Sequence, residues 1–155
     1  MYLETVGFLE SRGYGQYEIS NFSKPGRASR HNLQYWTLAE YAGFGPGAHS
    51  DFRGVRYAWA RDLDAFLRGD ILLSESLVMT RADRRGEWLM LSPRLARGLD
   101  PAAYEERFGQ SFDRFLPFLK RCEAAGYARW EDGRWRLTPR GFLVSNQIIG
   151  QLLAL

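Results

Sequence analysis

The dipeptide Asp132-Gly133 sets the strongest limit on how this chain can fold. It separates two runs of aromatic and aliphatic residues, with Trp130 before it and Trp135 after it. Asp-Gly favours a two-residue turn with positive φ angles, so residues 127–137 are predicted to form a β-hairpin. Helical patterns lie on both sides of the hairpin. We therefore expect a mostly α, winged-helix-like module, in which helices lead into a hairpin and a final helix closes the fold.

Capping signals place the helices of this second half of the chain. Each predicted helix begins at a residue that can cap an N-terminus or occupy its first turn, and these starts are Thr80, Asp100-Pro101, Ser111 and Thr138-Pro139. Pro93 is predicted to kink or end the first helix near Leu95, because proline cannot donate the helical hydrogen bond. Gly109 is predicted to end the second helix.

The first half of the chain alternates helical and extended patterns. Residues 1–13 carry apolar side chains at near-helical spacing, and residues 17–19 read as a short strand. A second strand is expected over residues 41–45, and a short helix over residues 61–68. A helix that feeds a single strand resembles the middle of an α/β repeat, so the fold class predicted for this half is α/β.

Charge and cysteine content exclude several classes of function. The 21 basic and 18 acidic residues give a formal net charge of +3, which is too small to require a nucleic-acid partner. The single cysteine, Cys122, can form neither an internal disulfide nor a multi-cysteine metal site alone. No apolar run is long enough to span a membrane and no signal peptide is evident, so a cytoplasmic location is the default expectation.

The two histidines, His31 and His49, are the next candidates for chemistry. Neither has a second His four residues away, so a zinc site is not expected. His31 opens the hexamer His-Asn-Leu-Gln-Tyr-Trp. A neutral imidazole is a good axial ligand for haem iron, and the rings of Tyr35 and Trp36 can stack on a porphyrin. The alternative is an ordinary loop histidine, with Tyr35 and Trp36 in the core.

Three segments of the first half resemble successive blocks of the oxygen-independent coproporphyrinogen III oxidase-like radical-SAM family, in the same order and with matching gaps. They are Tyr17–Gly26, His31–Trp36 and Tyr41–Ser50. Residues 95–100 and 135–141 resemble the family's C-terminal domain. The resemblance covers essentially the whole chain. It implies that residues 1–75 form the C-terminal part of a partial α/β barrel and that residues 76–155 form a winged-helix-like C-terminal domain.

In this family the hexamer that begins with His marks the haem chaperones, where it is implicated in haem binding. The resemblance therefore implies that His31 binds the haem iron, with Tyr35 and Trp36 as ring contacts. Asn32 or a backbone carbonyl is expected to orient the other ring nitrogen of His31. The glycine-rich block belongs to the part of the barrel that holds S-adenosylmethionine, and its residues here are Gly45, Gly47 and Ser50.

One departure from the family pattern limits what this chain can do. The family's [4Fe–4S] cluster needs three cysteines in a CxxxCxxC arrangement, whereas Cys122 is the only cysteine here. We expect a fragment or a degenerate member that is not a radical-SAM enzyme by itself. In the intact protein the resemblance implies S-adenosylmethionine and the cluster as cofactors. It also implies haem or porphyrin, the missing barrel half and a haem-acceptor protein as partners. A second copy of the chain is a further expected partner, because the unpaired edge of a partial sheet favours association.

Three other interpretations remain open at this point. The first is a fragment of an oxygen-independent coproporphyrinogen III oxidase of porphyrin biosynthesis, although the His-led hexamer favours the chaperone branch. The second is a nucleic-acid-binding winged helix that uses Arg129, Arg134 and Arg136. A solvated hairpin is favoured over that interpretation, so no nucleic acid is expected. The third is a structural lid over the barrel.

Overall fold

The computed structural model describes all residues of the chain, from Met1 to Leu155. The chain forms two compact units, of which the first combines Met1–Thr37 with Arg85–Leu155 and the second is Leu38–Arg84. The fold class is mixed α/β. The domain boundary expected at residues 75–76 stays a prediction. The compact units describe packing within this chain, and they do not define the domains of a protein family.

The first unit begins with a helix and a two-stranded antiparallel hairpin. Its elements are α1 (Tyr2–Ser11), β1 (Gly15–Glu18), β2 (Asn21–Ser23) and α2 (Arg30–Trp36). Gly13, with φ of +80°, lets the chain leave α1 in the left-handed conformation. The predicted helix and first strand are therefore confirmed, whereas β2 lies in a segment that was expected to be a loop.

The second unit contains a three-stranded antiparallel sheet in the order β3-β4-β5. Its elements are β3 (His49–Phe52), β4 (Val55–Trp59), α3 (Leu63–Leu67) and β5 (Leu73–Val78). Arg53 and Gly54, with φ of +50° and +80°, form the tight turn between β3 and β4. The strand expected over residues 41–45 is wrong, since only Tyr41 forms a β-bridge, to Asp51.

The remainder of the first unit contains the predicted helices and the hairpin, although the helix expected to open at Ser111 begins at Leu116, after a 3₁₀ turn over Asp113–Phe115 and without a side-chain cap. Its elements are α4 (Arg81–Leu91), whose first turn belongs to the second unit, α5 (Pro101–Phe108), α6 (Leu116–Ala124), β6 (Ala128–Glu131), β7 (Arg134–Leu137), α7 (Pro139–Leu143) and α8 (Ser145–Ala154). A 3₁₀ turn that contains Pro93 follows α4, as expected. Asp132 and Gly133 have φ of +50° and +73°, which confirms the turn of the hairpin. The predicted final helix is split at Val144, where φ is −116°.

An aromatic cluster forms the core of this unit. Tyr104 is fully buried, and its ring centroid lies 5.2 to 5.5 Å from those of four other aromatic side chains, namely Trp88, Phe108, Phe112 and Phe115. Tilted and edge-to-face contacts at this distance are favourable beyond the area that they bury. The cluster therefore joins α4, α5 and the segment that leads into α6.

Backbone hydrogen bonds join β1 to the segment that follows α4. Ile19 N donates to Arg94 O at 2.8 Å, and Ala96 N donates to Tyr17 O at 3.1 Å. A β-bridge between Glu18 and Leu95 lies between these two bonds. The N-terminal hairpin is consequently anchored on the same body as the aromatic cluster.

Candidate functional site

Helix α2 carries the candidate haem ligand on the surface of the first unit. The hydroxyl of Ser29 accepts a hydrogen bond from Asn32 N at 3.2 Å and caps the helix, which has seven residues and none buried. Thr37 ends the helix, and its hydroxyl donates to Leu33 O at 2.8 Å. The expectation that His31 lies in a loop is therefore wrong. Ser29 was the sequence signal for the helix start.

His31 and Tyr35 form a pair one helical turn apart. The Nε2 atom of His31 lies 3.2 Å from the Tyr35 hydroxyl, within hydrogen-bond distance. Their rings meet edge to face, with centroids 5.1 Å apart. Both side chains are exposed, and Tyr35 keeps 41% of its accessible surface. Trp36 lies about 140° around the helix axis from His31. The fold thus brings Tyr35, and not Trp36, to the imidazole.

Asn32 does not orient the imidazole, contrary to expectation. Its Nδ2 atom points to the hydroxyl of Tyr17 on β1, at 3.5 Å. The polar side chain that contacts the ring of His31 is the Tyr35 phenol. Asn32 instead links α2 to the anchored hairpin, so it helps to fix the position of the helix.

Glu18, which was not predicted from the sequence, braces the turn that leads toward α2. The residue is fully buried. One carboxylate oxygen accepts from Ser20 N at 3.2 Å, and the other accepts from the side-chain amide of Asn21. Buried carboxylates need such donors, because an unpaired one is costly. The sequence signal for this turn is a Glu followed closely by Ser and Asn, and it was not recognised in the sequence analysis.

The glycine-rich segment of the second unit folds into a loop that is held by hydrogen bonds to side chains of the same unit. The hydroxyl of the fully buried Ser50 accepts from Gly43 N at 3.0 Å, and the indole of Trp59 donates to Gly43 O at 2.8 Å. Gly45 and Gly47 have φ of +96° and +73°, which glycine adopts without strain. These contacts give Ser50 a structural role. Contact of Gly45, Gly47 and Ser50 with S-adenosylmethionine stays a prediction.

A buried ion-pair cluster in the second unit was also not predicted from the sequence. Asp51 is 4% exposed, and its carboxylate accepts hydrogen bonds from Arg84 and, at 2.6 Å, from Arg56. The hydrogen bond from Arg84 is the main reason why the pKa of Asp51 lies below its ordinary value. Burial opposes this shift, and Arg56 adds to it. The cluster links Arg84 to strands β3 and β4 within the second unit.

His49 and Cys122 offer no alternative metal site. His49 is exposed on β3, with Nδ1 3.5 Å from Glu75 Oε1. Cys122 is buried in α6, and burial raises the pKa of its thiol. No group of three or more His, Cys, Asp or Glu side chains is placed to hold a metal ion. One buried thiol does not fit a [4Fe–4S] cluster, so no step through a cluster is assigned to this chain.

No helix is both long enough and apolar enough to cross a bilayer.

The arginines of the β6–β7 hairpin are paired with carboxylates of the same unit. Arg129 and Arg136 lie 3.2 and 2.6 Å from Glu131, and Arg134 lies 2.7 Å from Asp100. This pairing lowers the positive charge that the hairpin presents to a phosphate backbone. It therefore gives no support to a nucleic-acid function.

Residues 79–144 match the family described as the HemN C-terminal domain. The match begins before α4 and ends after α7. It thus includes α4 to α7, the Asp132-Gly133 hairpin and the buried aromatic cluster.

Relatives match more of the chain than this domain. The chain is 31% identical over 160 residues to the heme chaperone HemW of Bacillus subtilis, covering 99% of this chain and 42% of that protein. It is 32% identical over 151 residues to the heme chaperone HemW of Escherichia coli, covering 94% of this chain and 40% of that protein. The chain thus spans about two fifths of the length of these relatives. A 52-residue stretch is 48% identical to the mitochondrial radical S-adenosyl methionine domain-containing protein 1 of Bos taurus, covering 34% of this chain and 12% of that protein.

A solved structure shares the fold. The coproporphyrinogen III oxidase (HemN) of Escherichia coli, described as a radical SAM enzyme, superimposes with a TM-score of 0.67 at 18% identity, over 96% of this chain and 39% of that one. The resemblance expected from the sequence is thus confirmed. This chain is similar to the C-terminal part of the coproporphyrinogen III oxidase-like radical-SAM proteins. Within that family it is similar to the proteins named heme chaperone.

Proposed function

We propose that this chain binds haem through His31 and supplies the C-terminal part of a haem chaperone. The observation that carries the proposal is the exposed imidazole of His31 beside Tyr35 on a capped surface helix. Support also comes from the similarity of nearly the whole chain to proteins named heme chaperone. In this proposal haem is the cargo of the protein and not its resident cofactor.

The Nε2 atom of His31 is the proposed ligand of the haem iron. Because that atom shares a hydrogen bond with the Tyr35 hydroxyl, the phenol must move aside when iron binds. The ring of Tyr35 then remains one turn away, where it can lie against the porphyrin edge. Before haem arrives, the same hydrogen bond limits the rotation of the imidazole.

The exposure of the pair suits a carrier better than a permanent haem pocket. No residue of α2 is buried, so a haem ligated by His31 has few apolar protein contacts beyond the adjacent rings. Apolar burial supplies most of the affinity in a deep ligand site. We therefore propose that haem is held weakly and passed to an acceptor protein.

The cluster chemistry of the family is assigned to regions outside this chain, whereas Gly45, Gly47 and Ser50 are proposed to contact S-adenosylmethionine in the intact protein. S-adenosylmethionine and the [4Fe–4S] cluster are proposed for an intact protein that also contains the preceding barrel half. Residues 1–75 are proposed to complete that barrel, and residues 76–155 to be its winged-helix-like domain. The helix–hairpin–helix order of α4 to α8 supports the second assignment. A cytoplasmic location and a homo-oligomer remain part of the proposal.

A haem titration followed at the Soret band tests this proposal. The wild-type chain should give a shifted Soret band that saturates with haem. His31→Ala should lose the band position that is typical of histidine ligation, with at least a several-fold loss of affinity. An identical titration for the two proteins would refute the assignment of His31.

A further inference from the structure

A pocket in the first unit is lined by no residue of helix α2. It has a volume of about 390 Å³ and is formed by α5, α6 and the β6–β7 hairpin. Apolar side chains form its floor and walls, among them Phe112, Leu116, Trp130 and Trp135. A cavity of this size accommodates one or two amino-acid side chains.

The lining of the pocket has an excess of negative charge. Three carboxylates, those of Glu105, Asp113 and Glu123, line it together with a single ammonium group, that of Lys120. Glu105 accepts from Phe112 N at 2.9 Å, and Glu123 accepts from Trp130 N at 3.0 Å. These bonds fix the two carboxylates in place and leave further acceptor capacity on each of them.

Two tryptophans give the pocket an aromatic wall beside these carboxylates. Trp130 is 49% exposed, and its ring centroid lies 5.3 Å from that of Trp135. An exposed indole next to anionic groups attracts a cation to its face. Trp135 is 5% exposed, and its indole N–H has no hydrogen-bond partner.

We propose that this pocket binds a basic segment of a partner polypeptide. An Arg or Lys head group meets the carboxylates and the face of Trp130, and a neighbouring aliphatic side chain fills the apolar floor. The same excess negative charge disfavours nucleic-acid phosphates and the propionates of haem. The pocket is therefore separate in chemistry from the site at His31 and does not depend on the function proposed for that site.

Nuclear magnetic resonance on the ¹⁵N-labelled 155-residue chain tests this inference. The probe is the capped tripeptide acetyl-Leu-Arg-Leu-amide, and the matched control is acetyl-Leu-Glu-Leu-amide. The Arg peptide should shift the indole N–H signals of Trp130 and Trp135, assigned with Trp130→Phe and Trp135→Phe, and should leave those of Trp36 and Trp59 in place. Shifts of equal size with the Glu peptide, or shifts confined to other residues, would overturn the proposal.

Two charge variants make the test quantitative. Asp113→Asn should weaken binding of the Arg peptide about two- to five-fold, and Lys120→Gln should strengthen it by a similar factor, since exposed charge pairs have effects of this order. Both positions are exposed, so an unchanged circular dichroism spectrum is expected for each variant. Affinities unchanged in both variants would contradict the electrostatic basis of the proposal.

A translational diffusion coefficient that falls with concentration, together with shifts at the same two indoles, would identify a second copy of the chain as the occupant instead.

Discussion

His31 Nε2 lies 3.2 Å from the hydroxyl of Tyr35, so the atom proposed to bind haem iron already has a partner. Iron and the phenol cannot both occupy Nε2, so ligation breaks this hydrogen bond whichever of the two groups donates it. Each haem that binds must replace this hydrogen bond, whose net contribution is about 0.5 to 1.5 kcal/mol. The pair therefore sets both the orientation of the imidazole and part of the cost of ligation.

Removal of that competition should strengthen haem binding. Tyr35→Phe keeps the aromatic ring and removes the hydroxyl, so the affinity for haem is expected to rise about two- to ten-fold. Soret titrations of the variant and the wild type measure the difference. Gln34→Ala, on the same exposed helix, is the matched control and should leave the affinity unchanged. A lower affinity in Tyr35→Phe would indicate instead that the phenol contributes to haem binding.

The chain should not cleave S-adenosylmethionine reductively. Its single cysteine cannot replace the three thiolates that hold the family's cluster. After anaerobic reconstitution with iron and sulfide and addition of dithionite, no 5′-deoxyadenosine is expected, and a radical-SAM enzyme assayed in parallel provides the positive control. Product formation at a rate comparable to that control would show that another set of ligands holds a cluster.

Gly98 is expected to be essential for stability. Its φ is +69°, and a Cβ atom there would lie 2.1 Å from the backbone oxygen of Trp135, so neither the conformation nor the space tolerates a side chain. Gly98→Ala should lower the free energy of unfolding by more than about 2 kcal/mol in urea denaturation. Gly86→Ala in α4 is the control, since open space surrounds that Cβ position and alanine favours helix by about 1 kcal/mol. Equal stability of the two variants would mean that the segment between α4 and α5 is misplaced.

The Asp51 cluster should make the stability depend on acid pH. The pKa of Asp51 is lower in the folded chain than its ordinary value of 3.8, mainly because Arg84 hydrogen-bonds the carboxylate. The stabilisation from this group is therefore fully present above that ordinary value and is lost as the pH falls through the lower, folded pKa.

Asp51→Asn should remove this dependence and destabilise the chain by about 3 to 5 kcal/mol at neutral pH, as expected when one partner of a buried ion pair is lost. Urea denaturation between pH 7 and pH 3 measures both effects. Asp70→Asn, which breaks an exposed ion pair with Arg68, is the control and should cost less than about 1 kcal/mol. If Asp51→Asn lost stability on acidification as steeply as the wild type, the pH dependence would have to come from other carboxylates.

Local signals in the sequence were sufficient to predict most helices and the hairpin in the second half of the chain. Thr80 caps α4 as expected, and it pairs with Asp83, with Thr80 N donating to the Asp83 carboxylate at 2.9 Å and Asp83 N donating to the Thr80 hydroxyl at 3.1 Å. Asp132-Gly133 forms the expected turn. These features depend on residues within a few positions of one another, so sequence patterns identify them directly.

The errors lie where distant residues determine the structure. Residues 41–45 look like a strand, but Ser50 and Trp59 bind both polar groups of the Gly43 backbone and hold the segment as a loop. Strand β5 has every residue exposed and forms through its pairing with β4, so no alternation of apolar residues indicated it. The partners of Asp51 likewise include Arg84, 33 positions away.

For the candidate site, the sequence identified His31 and Tyr35 as neighbours in one hexamer but not their contact. A seven-residue helix places them on one face, and the same helix turns Trp36 and Asn32 elsewhere. The hexamer itself contains no signal that distinguishes a helix from a loop, and the capping residue Ser29 lies just before it.

The proposed role of His31 is most directly tested by haem titration of three proteins, the wild-type chain, His31→Ala and His49→Ala, followed at the Soret band. His49 is an exposed histidine on β3 and so controls for nonspecific ligation by a surface imidazole. We predict that His49→Ala matches the wild type in band position and affinity, whereas His31→Ala loses both. A wild-type spectrum and affinity in His31→Ala would contradict the proposed ligation, and loss in His49→Ala alone would assign the haem iron to the other histidine.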